Sequence, residues 1–357
     1  MTKHNLKKAV RIVLVIIILF SLSACKGGTK PSEVNLMTWG GDFVPREIIN
    51  EFEKGTGIKV NYKEVQSNED MLSLLEANPD QYDLAVVTDY MIDIMKRNEY
   101  LEKLDKSKLP NIENINPVYQ GNYYDADDKY SIPYAISTSF LLVNKQAVEE
   151  LGARPITSYK DMWQDELKDN IVVIDGAVEI MGLVLKSLGY EYNELDPVKV
   201  NEAKERLFDL RKNIMRFETN TPEDSLIGRE AEAVLGFMYS NQAVKGQDMD
   251  KNLEPVFPEE GMPIFIDSFV MSKEAPHKEE TYKFLNFIME PGVAARIAEI
   301  TKFTSPNRGA EDFLSDEFKN NIMLNMPDDV AANTSFYINV ESVLEEYDHI
   351  YSEFKMQ

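Results

Sequence analysis

The chain has 357 residues, and its 61 Asp and Glu against 38 Lys and Arg give a formal net charge of −23 at pH 7. Such a surface argues against nucleic acid and anionic lipid headgroups as partners, because both would be repelled. One cysteine and three histidines give neither a disulfide framework nor a thiolate metal cage, and no motif of a zinc site or a serine nucleophile surrounds the histidines. We therefore expect a protein that is not an enzyme and that holds no metal or other cofactor.

Residues 1–24 are typical of a bacterial secretory signal peptide. A basic head without acidic residues precedes an apolar run at 12–20, which is short for a membrane span. Leu22-Ser23-Ala24-Cys25 then matches the lipobox of bacterial lipoproteins, in which the Cys thiol takes a diacylglycerol. We expect lipidation of Cys25, a tether over 25–33 and a location on the extracytoplasmic face of the cell membrane. The alternatives are a plain anchor helix, or an ordinary signal with a chance cysteine.

After the tether, the chain alternates between strand and helix patterns. The predicted elements are strands at 34–39, 59–65 and 82–87 and helices at 44–54, 67–77 and 91–97. Ser67 opens the second helix as a cap, and the 82–87 segment is apolar enough for a buried parallel strand. This order of elements indicates a doubly wound α/β sheet.

A second α/β block follows the extended apolar segment 130–144. Its predicted elements, with those of the returning chain, are strands at 171–175, 234–239 and 264–271 and helices at 179–188, 197–213, 279–289, 292–300 and 340–354. We expect two α/β units, with the later chain returning to the first. No internal repeat or low-complexity segment interrupts them.

Aromatic residues and carboxylates recur where the predicted strands end, at 39–43, 88–90, 175–179, 239 and 265–267. In open α/β sheets, ligands bind beyond the carboxyl ends of the strands. Aromatic faces attract cations and carboxylates bind amines, so the pattern suits an organic cation. These strand ends carry no Lys or Arg, which disfavours an anionic ligand. The acidic segment 125–128 resembles a calcium loop but lacks its Gly and closing Glu, so we expect a solvated turn.

A series of short motifs runs from about residue 34 to 355. They include Trp39…Val44-Pro45, Gly55-Thr-Gly-Ile-Lys-Val60, Ser67-Asn-Glu69, Tyr82-Asp-Leu84, Tyr130-Ser-Ile-Pro-Tyr134, Asp175-Gly-Ala…Glu179 and Ser305-Pro-Asn307. In order and spacing they resemble the periplasmic polyamine-binding proteins, the spermidine/putrescine receptors of ABC importers. The resemblance implies a two-lobed periplasmic-binding-protein fold, each lobe a sheet flanked by helices, with the ligand cleft between them. It places lobe 1 at 34–136 with 265–310, and lobe 2 at 137–264 with 311–357.

The resemblance also implies a set of ligand-binding residues. They are Trp39, Phe43, Thr88, Tyr90, Asp175, Glu179, Tyr239, Phe265, Asp267 and Phe303. Glu179 and Asp267 match the carboxylates that bind amine groups in the family, and Asp175 lies near a further one. Each buried ammonium group needs such an anion or several hydrogen-bond acceptors.

Several of these positions depart from the family pattern. Thr88 stands where a Ser is usual, Phe43 and Phe303 replace Tyr, and Tyr239 and Phe265 replace Trp. A C-terminal site Gln of the family has no counterpart that the motifs identify. The expected cleft therefore has fewer Trp residues and fewer hydroxyl groups than is usual in the family.

The function that the resemblance implies is capture of a polyamine between two lobes, hinge closure, and delivery to the permease and ATPase of an ABC importer. We expect a monomer held to the membrane by its lipid. Three alternatives remain open: a receptor for another organic cation such as thiamine or a quaternary amine, a surface lipoprotein enzyme whose cleft carboxylates act as acid and base, and an adhesin with a vestigial cleft.

Overall fold

The computed structural model describes residues 32–228, 230–338 and 340–357. The predicted signal peptide and Cys25 lie outside these residues. The strands are β1 (Glu33–Trp39), β2 (Lys59–Val65), β3 (Leu84–Thr88), β4 (Ser131–Asn144), β5 (Ile171–Val173), β6 (Ile214–Phe217), β7 (Leu235–Tyr239), β8 (Leu253–Val256), β9 (Met262–Met271) and β10 (Thr334–Ser335).

The α-helices are α1 (Arg46–Thr56), α2 (Asn68–Ala77), α3 (Asp89–Arg97), α4 (Lys145–Glu150), α5 (Ala177–Ser187), α6 (Pro197–Leu210), α7 (Ser240–Met249), α8 (Lys278–Ile288), α9 (Pro291–Thr301), α10 (Asp316–Asn320), α11 (Asp328–Ala331) and α12 (Leu344–Lys355). Short 3-10 helices connect them, at Lys106–Lys108, Pro110–Asn114, Pro117–Tyr119, Tyr159–Trp163, Asp165–Leu167, Arg211–Asn213, Pro222–Leu226, Arg308–Phe313 and Val340–Ser342. No helix in the described part of the chain is long and apolar enough to cross a membrane.

The strands follow the order β2-β1-β3-β9-β4-β7-β5-β6, with β8 beside β4 and β10 beside β9. β1 pairs in parallel with β2 and β3, whereas β9 runs antiparallel to β3 and β4. The long strand β4 joins the two halves, because its first residues pair with β9 and its last with β7 and β8. The chain therefore crosses between two sheet regions at β4 and β9.

The two halves have separate cores. Both faces of the first sheet are covered, one by a cluster that includes Phe52 and Phe284, the other by a cluster that includes Met71 and Met95. A larger cluster fills the second half and includes side chains of the C-terminal helix such as Phe354. Each large apolar side chain buried in this way contributes about 1.5–3 kcal/mol. The residue bounds of the two lobes stay a prediction.

Most predicted elements are confirmed. Ser67 caps α2 by accepting a hydrogen bond from the Asp70 amide at 3.0 Å. Gly57 ends α1 with φ 73°, a conformation that glycine adopts readily, and its amide donates to the Glu53 carbonyl. Helix α3 begins at Asp89, two residues before its predicted start, and strand β6, which directly follows the predicted helix 197–213, was not predicted.

The acidic segment 125–128 forms a turn, as predicted, but Asp125 is not solvated. Its side chain is buried and accepts hydrogen bonds from the amides of Lys129, Tyr130 and Ser131 at 2.8–3.0 Å and from the Ser131 hydroxyl. A carboxylate with four donors needs no metal ion. No group of His, Cys, Asp and Glu within the described residues is arranged to hold one.

Candidate functional site

The centre of the candidate site is Asp267, at the point where strand β9 passes the end of β3. Thr88 is the direct cross-strand partner of Asp267. The carboxyl oxygen Oδ1 accepts hydrogen bonds from the Thr88 hydroxyl at 2.8 Å and from the Trp39 indole nitrogen at 3.3 Å. Because β1 and β3 are parallel, their carboxyl ends bring Trp39 and Thr88 to the same edge of the sheet. The structure thus joins three residues of the predicted set.

Asp267 is buried, and its charge has no cationic partner within the described residues. Its exposed fraction is 7 %. Burial raises its pKa to about 6, while the hydrogen bonds from Thr88 and Trp39 act in the opposite direction. No cationic side chain of the described residues lowers this pKa further. The group is therefore placed to accept a cation from outside the protein.

A second carboxyl, Glu179, lies in the first turn of α5. Its Oε1 accepts a hydrogen bond from the Tyr239 hydroxyl at 2.8 Å. A Cβ at Gly176 would lie 2.2 Å from Glu179 Oε2, so glycine at this position lets the carboxyl fold back over the start of the helix. Burial raises the pKa of Glu179, and the negative charges of Glu69 and Asp348 raise it further.

Asn68, Glu69 and Tyr90 form the edge of the site on the side of the first sheet. Asn68 donates to the Tyr90 hydroxyl at 2.9 Å and accepts from the Thr88 amide at 3.2 Å. The Tyr90 hydroxyl lies 3.3 Å from Glu69 Oε1. Desolvation and the charge of Asp348 raise the pKa of the Glu69 carboxyl, although the side chain stays exposed at the edge. Glu69 and Glu179 thus belong to one negative region.

Aromatic rings continue the site on the side of the second sheet. Tyr239 meets Phe265 edge to face, with ring centroids 5.9 Å apart. Phe265 stacks on Tyr337 at 5.5 Å with an angle of 16° between the planes. Tyr337 approaches α5 so closely that a Cβ at Gly182 would lie 2.1 Å from its hydroxyl oxygen.

Three predicted residues have other partners. Phe43 and Phe303 pack against each other at 5.0 Å, and Phe43 also lies 5.5 Å from Tyr134 in the first core. Asp175 accepts from the Tyr351 hydroxyl at 2.9 Å and pairs with Lys355 at 2.6 Å, both on the last helix. Its charge is already compensated inside the protein. Ligand contacts of these three residues stay a prediction.

Comparisons with known proteins show the family of the chain. The family of bacterial extracellular solute-binding proteins matches residues 47–325. The chain belongs to this family. Its members are solute-binding proteins that act in transport. The prediction of a solute-binding transport protein is therefore confirmed at the level of the family.

Individual relatives of the family cover most of the chain. The spermidine/putrescine-binding periplasmic protein of Salmonella typhimurium is 34% identical over 280 residues, 78% of this chain and 79% of that protein. The protein of the same name from Escherichia coli is 31% identical over 315 residues, 88% of this chain and 89% of that one. The solved structure of the spermidine/putrescine ABC transporter substrate-binding protein PotD from Streptococcus pneumoniae has a TM-score of 0.77 at 29% identity and covers 91% of this chain and 99% of that chain. The two-lobed fold is thereby confirmed.

Two residues of this candidate site were missed from the sequence. Glu69 was recognised only as part of a motif at a helix start, and its place in the negative region depends on Asp348, 279 positions later. Tyr337 follows the two-residue strand β10 in a segment without periodicity, so no local pattern singled it out. Both positions depend on contacts between distant parts of the chain.

Proposed function

We propose that this protein captures a polyamine of the spermidine/putrescine class and delivers it to an ABC importer. The observation that carries the proposal is Asp267, a buried carboxyl with donors at Thr88 and Trp39 and no cationic partner among the described residues. Relatives named for binding spermidine and putrescine cover most of the chain, which supports a ligand with ammonium groups.

In the proposed complex, one ammonium group of the ligand donates to Asp267 and another to Glu179. The rings of Trp39, Tyr90 and Tyr239 cover the methylene groups and attract the cation, at about 0.5–2 kcal/mol for each cation–π contact. A buried ammonium group without an anion would be strongly destabilised. The two carboxylates therefore select a ligand with separated positive charges over a neutral one.

We further propose that the ligand closes the two lobes about a hinge. Strands β4 and β9 pass between the sheet regions and supply two crossing segments. Residues 34–136 with 265–310 would move against residues 137–264 with 311–357. Closure of packed lobes about a few crossing segments is a common response of binding proteins to their ligands. The protein would act as a monomer.

The membrane anchor is proposed from Leu22-Ser-Ala-Cys25 alone. A diacyl group on Cys25 would hold the protein on the extracytoplasmic face, because two acyl chains give stable attachment. Cys25→Ser should move the protein from the membrane fraction to the soluble fraction. A Cys25→Ser protein that stays in the membrane fraction after loss of residues 1–24 would contradict lipid anchoring.

A thermal unfolding panel tests the ligand class. Spermidine and putrescine are compared with thiamine and choline, each over a concentration series. A ligand at about 100 times its Kd should add about 2.7 kcal/mol of stability. Stabilisation by the two polyamines supports the proposal. Stabilisation by thiamine or choline alone would favour the receptor for another organic cation, and no stabilisation by any of the four would contradict an organic-cation receptor.

A further inference from the structure

A second buried carboxyl, Asp89, lies beside Asp267 and has no role in the proposed ligand contacts. It is the first residue of α3 and directly follows Thr88, and its exposed fraction is 0 %. Its Oδ2 accepts a hydrogen bond from the Ile266 amide at 3.0 Å. Asp89 therefore holds the backbone of the residue that precedes Asp267.

The other oxygen of Asp89 and the Tyr337 carbonyl oxygen share one tyrosine hydroxyl. The Tyr123 hydroxyl lies 3.1 Å from Asp89 Oδ1 and 2.9 Å from the Tyr337 carbonyl oxygen. A tyrosine hydroxyl has one hydrogen, so it cannot donate to both. If Asp89 carries a proton on Oδ1, it donates to Tyr123, which donates to Tyr337. Each of the three contacts, Asp89 to Ile266, Asp89 to Tyr123 and Tyr123 to the Tyr337 carbonyl, then has its own hydrogen.

The charges around Asp89 favour the same arrangement. Asp267 on β9 repels a negative charge at Asp89, and Tyr123 and Tyr124 on the facing loop are neutral. On its own helix, Asp93 faces Tyr123, and Lys96 is held by Asp93 and by the Tyr124 carbonyl. Burial and the Asp267 charge raise the pKa of Asp89 to about 7, against the hydrogen bonds from Ile266 and Tyr123. The Thr88 and Trp39 donors instead favour the charged form of Asp267.

The hydrogen-bond chain connects three parts of the molecule. Asp89 belongs to α3, Ile266 to the ligand strand β9, and Tyr337 to the segment that follows β10. Tyr123 also packs edge to face on Phe336 at 5.7 Å, and Tyr337 stacks on Phe265. This segment joins β9 to the second core, since β10 pairs with β9 and the chain then enters α12, whose side chains belong to that core.

We propose that Asp89 is a positioning residue that carries a proton near neutral pH and, through Tyr123, fastens the Tyr337 segment beside the ligand strand. Asp267 is then the charged member of the pair. The role of Asp267 as the charged member rests on the proposed function, whereas the role of Asp89 in holding the Tyr337 segment does not. Two adjacent buried carboxyls whose surroundings favour opposite protonation states divide their roles in this way.

Asp89→Asn tests the proton without a ligand. The amide replaces the neutral acid, donating to Tyr123 and accepting from Ile266. Because the folded parent keeps a proton that the unfolded chain loses above about pH 4, the parent loses stability relative to Asp89→Asn as pH rises towards 7. The ratio of their unfolding equilibrium constants should change about tenfold per pH unit near pH 5 and less as pH approaches 7, or about fiftyfold in all between pH 5 and pH 7.

Asp125→Asn is the matched control, because Asp125 is also buried and its two oxygens accept hydrogen bonds from four donors, which the single amide oxygen of Asn cannot all replace. It should be less stable than the parent throughout, with a nearly constant ratio over the same range. A constant ratio for Asp89→Asn, or a loss of stability like that of Asp125→Asn, would overturn the proposal. Both results are independent of whether any polyamine binds, so they are distinct from failure of the proposed function.

The fastening itself is tested by hydrogen exchange of residues 330–338 at one pH. Tyr123→Phe removes the hydroxyl that links Asp89 to Tyr337 while it keeps the ring against Phe336. Exchange in this segment should become about tenfold faster than in the parent, and Asp89→Asn should preserve the slow rate. Equal rates in Tyr123→Phe and the parent would show that the hydroxyl does not hold the segment.

Discussion

Individual carboxyl groups determine which ligands the proposed site can bind, and their buried negative charge is unfavourable when no ligand compensates it. Burial raises the pKa of Asp267 to about 6 and also raises the pKa of Glu179. Hydrogen bonds from Thr88, Trp39 and Tyr239 reduce this cost but do not supply a positive charge. An ammonium group lowers the pKa of both carboxyls, so ligand binding and ionisation favour each other.

Asp267→Asn should bind the best polyamine far more weakly than the parent. The amide keeps the shape but removes the charge, and a buried cation without its anion is destabilised by roughly 3–5 kcal/mol. This corresponds to about two to three and a half decades in Kd, measured by calorimetry. Trp39→Phe should lose less, because an aromatic face remains.

Asp175→Asn tests whether the ammonium group is held by Asp175 or by Asp267. The charge of Asp175 is already paired with Lys355, so its removal should weaken binding less than Asp267→Asn does. If Asp175→Asn loses more affinity, or if Asp267→Asn binds like the parent, the ammonium group is not held at Asp267.

At the scale of helices and strands, the sequence predicted those elements whose signal is local. Helix α1 shows its buried face in Ile48, Ile49 and Phe52, and β3 is a run of buried apolar residues between polar ones. Strand β6 was missed because it has only four residues, of which only the first is fully buried. Its strand conformation depends on pairing with β5, a contact that a one-dimensional pattern does not contain.

The same limit applies to the candidate site. Trp39, Thr88 and Asp267 were predictable because each lies at the end of a strand or inside a recognisable one. Their mutual hydrogen bonds were not, since the register of β3 against β9 sets the distance between Thr88 and Asp267. The chain from Asp89 through Tyr123 to Tyr337 joins residues 214 positions apart in its last step. Such contacts follow from the tertiary fold rather than from any short motif.

Gly176→Ala tests how the start of α5 presents Glu179. Gly176 has φ −147°, which alanine adopts without strain, but the added Cβ would lie 2.2 Å from Glu179 Oε2. The carboxyl must then move, so polyamine affinity should fall by about tenfold, an estimate that equals about 1.4 kcal/mol. Calorimetry measures the affinity and thermal unfolding the stability, which should change little.

Gly189→Ala provides the opposite control for this helix. Gly189 follows α5 with φ 83°, and a Cβ there would meet nothing within 4 Å. Alanine at positive φ is strained, so stability should fall by about 1 kcal/mol while affinity follows the parent. An affinity loss of equal size in both variants would show that Gly176 acts through the stability of the helix and not through Glu179.

For the whole molecule, the negative region links carboxylates from both halves. Glu69 lies in the first turn of α2 beside the first sheet, whereas Glu179 and Asp348 lie on helices that pack in the second core. The charge of Asp348 raises the pKa of both Glu69 and Glu179, and the charge of Glu69 raises the pKa of Glu179. Like charges on two bodies favour separation, most strongly at low ionic strength. A polycation between the two halves would attract the carboxylates of both and so replace repulsion by attraction. The charge of the ligand is in this way linked to closure of the lobes.

This link predicts a contraction that X-ray scattering can measure. Saturating spermidine should reduce the radius of gyration of the parent, because the lobes close on the ligand. Glu69→Gln should be more compact than the parent without ligand, at low salt, and should contract less when spermidine is added. Glu76→Gln is the control on the same helix, since Glu76 accepts a hydrogen bond from Tyr100 and lies outside the negative region. Its radius of gyration should follow that of the parent.

If calorimetry shows binding while the parent does not contract, the pocket is rigid. If Glu69→Gln and Glu76→Gln give the same curves, repulsion across the cleft does not control the lobes.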